Sequence, residues 1–160
     1  MKLVELTDTL VSLLRSEIPS PHSSGNWIYS DYPRMDATFP RISLTQTAGA
    51  LAAIAIGECT DSGKTGELMS ISFDIDIWVK VTDKYTTIAT PPVVYVGSKL
   101  REYYADLILS ALEAAKETLR TDHGILDVGI NNISTSPLDE EHLLHRKTIT
   151  IEVTFIWEHD

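Results

Sequence analysis

The sequence predicts an α+β fold, a mostly antiparallel sheet of about four to five strands with two helices packed on it. Two segments carry apolar residues at the three- and four-residue steps of a buried helix face, and two others alternate apolar and polar residues as half-buried strands do. No internal repeat or low-complexity tract interrupts them. With 43% apolar and 22% charged residues the composition is that of a globular protein. A chain of 160 residues needs only one core, and the reading is a single domain over 1–160.

In residues 2–18 the helical stripe is Leu3, Leu6, Leu10, Leu13, Leu14 and Ile18, and Pro19 and Pro21 end it. A polar loop with Trp27, Tyr29, Tyr32 and Phe39 then runs to Pro40, and loops of this length are usually functional or interface-forming. Ile42 and Leu44 alternate with Arg41, Ser43 and Thr45, and a second apolar run at 51–56 follows Gly49, giving two short strands or one strand kinked at the glycine. After a polar turn at 58–66 comes the clearest strand. Ile71, Phe73, Ile75, Ile77, Val79 and Val81 form its packed face, and Asp74, Asp76 and Trp78 stand on the wet one.

Residues 83–97 read as irregular, with Pro91 and Pro92 against a central strand. Ser98 is the expected N-cap of a second helix with the stripe Leu100, Tyr103, Tyr104, Leu107, Ile108, Ala111, Leu112, Ala115 and Leu119. Lys116 and Arg120 suit the negative end of its dipole, and Gly124 terminates it. A weaker strand at 125–133, a polar connection at 136–141 and a final strand at 148–157 follow. Ile71, Phe73, Ile75, Ile77, Ile151, Val153 and Phe155 are the predicted sheet face under the second helix.

Charge and motifs narrow the function. A net charge of −10 opposes the counterion release that drives nucleic-acid binding, which counts against a DNA- or RNA-binding module. Carboxylates at Glu5 and Asp8 interrupt the first apolar stretch before a secretory core forms, and no run of about 18 apolar residues exists to cross a membrane. Synthesis in the cytoplasm is expected. Cys59 is the single cysteine, so neither an intrachain disulfide nor a multi-cysteine metal site is available.

Gly63, Lys64 and Thr65 echo a phosphate-binding loop, but Glu58 stands where that motif wants glycine and a strand follows where it wants a helix. Asp74 and Asp76 lack an evident third ligand, and the three-residue spacing of His142 and His145 serves a metal only on a helix. No Gly-x-Ser-x-Gly elbow occurs, and Asn132-Ile133-Ser134 carries no weight as a glycosylation site without a secretion signal. No catalytic residue, metal or cofactor is therefore expected.

The N-terminal helix at 2–18, the Phe39-Pro40-Arg41-Ile42-Ser43-Leu44 start of a strand, the polar hairpin at 58–66 and the alternating 71–81 strand come in a telling order. The Ser98-Lys99-Leu100 helix start and the closing Phe155-Ile156-Trp157-Glu158 complete it. This order resembles tail-terminator, or tail-completion, proteins of long-tailed bacteriophages, over most of the chain. The segment 82–97 and the 19–40 loop are longer than that pattern.

The resemblance implies a structural virion protein of the neck, assembled in the host cytoplasm. It would cap the head-proximal end of the tail tube as a six-membered ring and meet a tail-tube protein and a head-closure or connector protein. DNA would pass through its lumen without specific binding, to which an acidic protein is suited. The alternatives are another ring-forming neck or tail protein, such as a head-closure connector or a tube subunit, and a small-molecule-binding or enzymatic domain. Tube subunits usually build sheet-dominated barrels, so two helices favour the terminator.

The expected subunit or partner interface comprises Asp74, Asp76 and Trp78 on the strand and Tyr85, Ile88, Val93, Val94 and Tyr95 in the 82–97 segment. That segment is apolar yet follows neither strand nor helix periodicity, as a docking arm would. The competing reading packs it back as an edge strand over its own core.

Overall fold

The computed structural model describes residues 2–33, 37–53 and 66–158. The first helix, α1 (Leu3–Glu17), buries Leu6, Leu10, Val11 and Leu14. Glu5 closes its first turn by accepting a hydrogen bond from the Lys2 backbone N–H at 2.8 Å. Five strands form the main sheet: β1 (Ile28–Tyr29), β2 (Arg41–Ala53), β3 (Gly66–Lys80), β6 (Ile125–Thr135) and β7 (Leu144–Glu158). Between β3 and β6 come a small hairpin, β4 (Lys84–Thr86) and β5 (Val94–Val96), and the long helix α2 (Ser98–His123).

The sheet order is β1-β2-β3-β7-β6. The long strands pair antiparallel throughout, as expected, but β1 pairs parallel to β2 over Ile28↔Ile42 and Tyr29↔Ser43, which makes the sheet mixed. β2 is one strand with register irregularities on either side of Gly49, between Gln46 and Ala48 and between Leu51 and Ala53. The expected apolar run at 54–56 and the turn at 58–65, with Cys59, Gly63, Lys64 and Thr65, lie outside the described residues. β7 begins at Leu144 rather than at 148, because the polar stretch from His145 to Lys147 is held by pairing with β3.

Both helices serve one core. Ile71, Phe73, Ile75, Ile77, Ile151, Val153 and Phe155 are all buried, in one cluster with Leu100, Tyr104, Ile108, Leu112 and Leu119 of α2 and the buried face of α1. The predicted packed face therefore holds. The N-cap of α2 is Gly97, not Ser98. Its φ of +53° suits glycine, and a Cβ there would stand 2.9 Å from the Val81 carbonyl oxygen. Gly124 ends the helix in the left-handed conformation, its N–H bonded to the Leu119 carbonyl.

Residues 83–97, expected to be irregular, contain the β4–β5 hairpin, with Lys84↔Val96, Tyr85↔Tyr95 and Thr86↔Val94 paired. Tyr85 and Tyr95 lie against Tyr103 of α2, their ring centroids 5.9 and 4.3 Å from its own. Among the described residues no helix is long and apolar enough to cross a membrane.

Candidate functional site

The outer face of the sheet, away from the helices, is built from cross-strand rows: Thr45–Asp74–Thr150, Ser43–Asp76–Thr148 and Arg41–Trp78–Arg146. Alternation along β3 puts Asp74, Asp76 and Trp78 there, as read from the sequence. The expectation of a wet face fails at Asp76, which is fully buried. Its Oδ1 accepts hydrogen bonds from Arg146 Nε at 2.9 Å and Thr148 Oγ1 at 2.5 Å, while Oδ2 has no partner among the described residues. Asp74 is half-buried and accepts from Thr150 Oγ1 at 2.7 Å. Trp78 donates through Nε1 to Ser43 Oγ at 3.1 Å.

Described residues of the stretch between β1 and β2 border this end. Tyr32, Pro33 and Phe39 come over the face and, with Trp78, Leu144 and Arg146, wall a half-open cleft of about 450 Å³. Lys80, Asp139 and His142 complete its lining. The Arg146 guanidinium lies 4.8 Å from the Trp78 ring centroid and 5.9 Å from that of Tyr32, and Lys80 Nζ lies 5.4 Å from that of Phe39. Across the cleft, His142 Nδ1 and Asp139 Oδ2 are 2.9 Å apart. That contact, with the backbone N–H bond of His142, holds the Asp139 carboxyl below its ordinary range. Volume and aromatic lining match a small-molecule cleft, for which roughly 300–1,000 Å³ is usual.

The other predicted interface residues do not join this site. The hairpin leans on α2, on the helix side of the sheet. Within it the expected set divides. Tyr85 and Tyr95 turn inward and are half-buried on their own helix, whereas Ile88, Val93 and Val94 are exposed, Ile88 almost completely at 99%. The inward side of the segment thus packs back on its own helix, while the outward side is exposed.

The two histidines are not brought together. His142 lies in the turn before β7, and His145 stands on β7 opposite buried Val79. Burial, with the Arg101 charge nearby, pushes the His145 imidazole below its usual range. Close by, Glu102 accepts from both Arg101 and Lys147, and although burial raises its pKa, these bonds hold it below the ordinary value. No group of three or more His, Cys, Asp or Glu side chains placed to hold a metal occurs among the described residues.

Sequence reasoning missed Tyr32, Phe39, Lys80 and Arg146 as parts of one cleft. The Trp78↔Arg146 pairing that joins them spans chain positions with no shared motif. No protein-family model matches the chain, and no curated protein does either.

Proposed function

We propose that this chain is a structural assembly protein of the tail-terminator type, a ring subunit that caps the head-proximal end of a tail tube and joins it to the head connector. The observation that carries the reading is a pair of unpartnered apolar surfaces on separate elements. One is the outward side of the hairpin, with Ile88, Val93, Val94 and Val96. The other is the edge strand β6, whose Ile130 and Ile133 stand opposite core residues Ile151 and Ile149 yet are nearly half exposed, at 45% and 44%. The apolar face of the sheet thus runs on past the cover of the helices. Among the described residues its outermost strand offers an unpaired backbone edge as well.

Two different sticky surfaces on one subunit favour head-to-tail contacts, and such contacts generate rings when the rotation closes. The α+β architecture and the order of its elements agree with the resemblance drawn from the sequence. In this reading the ring belongs to the virion neck, meets tube protein on one side and connector on the other, and lets DNA pass through an acidic surround. Native mass spectrometry at high protein concentration, alone and with tail tubes, tests it. A sixfold species is expected. A chain that stays monomeric under both conditions would refute it.

A further inference from the structure

The cleft on the outer face is not one of the two surfaces that carry that reading, although Trp78 belongs to the expected interface, and its chemistry points elsewhere. Three aromatic rings, Tyr32, Phe39 and Trp78, wall it, and Lys80, Arg146 and His142 bring cationic or hydrogen-bonding groups to it in a protein of net charge −10. Arg146 is held in place from behind. Its Nε is bonded to fully buried Asp76, which orients the guanidinium over Trp78 while only one of its five donors is used on a carboxylate among the described residues. Asp139 is occupied by His142, and Asp83 accepts from the Lys80 backbone N–H. No carboxylate among the described residues bonds the Lys80 ammonium.

We propose that this cleft binds an aromatic anion, a planar ring bearing a phosphate or a carboxylate. The ring packs among Tyr32, Phe39 and Trp78, and the anionic group is taken by Arg146 and Lys80. An uncharged ring would leave the remaining donors of the anchored guanidinium unused, and a bare anion would leave the aromatic walls wet. Both parts of the ligand are needed for tight binding.

The test uses four probes on the full chain: adenosine 5′-monophosphate, 1-naphthoate, adenosine and inorganic phosphate. Binding is read by calorimetry and by the emission of the tryptophans, of which Trp78 is one. At least one of the two aromatic anions should saturate a single site, and the comparison between them separates phosphate from carboxylate preference. Adenosine and inorganic phosphate should bind at least about tenfold more weakly, the loss of one charge-assisted contact or one stacked ring. Lys80→Glu and Tyr32→Ala alter exposed side chains and should each weaken binding about tenfold while circular dichroism shows the fold retained. The proposal fails if neither aromatic anion saturates below about 10 mM. It fails equally if Lys80→Glu binds as the wild type does.

Discussion

Arg146 and Asp76 form an unequal pair, and removing either partner should have unequal cost. Asp76 is fully buried, whereas the Arg146 side chain keeps 32% of its surface in solvent. Arg146→Met leaves a buried carboxylate whose Oδ2 already lacks a partner and whose Oδ1 retains only Thr148. An uncompensated buried charge of this kind costs about 3–5 kcal/mol. Asp76→Asn keeps the volume and a hydrogen bond to Thr148, and the released guanidinium regains water, so about 1–2 kcal/mol is expected. In the double variant the charge penalty vanishes from both sides, and the loss should fall short of the sum by about 1–3 kcal/mol. Urea denaturation of the four proteins measures these terms. A loss of about 3 kcal/mol corresponds to roughly 6–12 °C in melting temperature for a domain of this size. An Asp76→Asn protein less stable than Arg146→Met would refute the reasoning, since the order follows from burial alone.

Phe73, 1% exposed in the centre of the core, should cost about 3–5 kcal/mol as Phe73→Ala, and melting within a degree of wild type would put the strand register in error. Val94→Asp places a carboxylate on the outward side of the hairpin, so circular dichroism and melting should stay native while the ring is lost from native mass spectra; an intact ring removes the hairpin from the interface. Gly124→Ala meets no atom within 4 Å and should cost about 1 kcal/mol from its left-handed backbone, whereas Gly97→Ala also strikes the Val81 carbonyl and should cost more; equal melting points would contradict this. His145, whose folded pKa lies below the unfolded value, stabilises fully above about pH 6.5 and less as acid is added; His145→Gln should lose less stability than wild type between about pH 7 and 5, and parallel curves would rule the effect out.

The helices and the long strands were legible because each hides one face, and a hidden face leaves a period in the sequence. Leu6, Leu10 and Leu14 mark α1 and Phe73, Ile75 and Ile77 mark β3 without help from the rest of the chain. The hairpin left no such trace, since strands of three residues are too short to show alternation, and the pairing of Tyr85 with Tyr95 is visible only once the chain has turned back. Asp76 misled for a related reason. Alternation correctly sent it to the outer face, but whether a residue there is wet depends on which side chains close over it, here Arg146 and Thr148 of the neighbouring strand, and the pattern within one strand does not declare its neighbour. The cleft shared this obscurity. Its walls come from the loop, β3 and β7, and only the strand register brings Trp78 beside Arg146.

Translation order and sheet order are at odds in this molecule. β7 follows the other four strands of the sheet in the chain, yet it lies between β3 and β6. While a nascent chain lengthens, β3 keeps one flank unpaired through the synthesis of the hairpin, α2 and β6, and β6 emerges with no strand to pair with. Pairings so distant in sequence close slowly, and an open flank is what chaperones and proteases recognise. A chain interrupted before Leu144 would be missing the middle of its sheet, with the row from Ile149 to Phe155 absent from the core. Such a fragment could not display β6 as the rim of a finished sheet, so truncated products would be triaged before they could accumulate beside the folded chain.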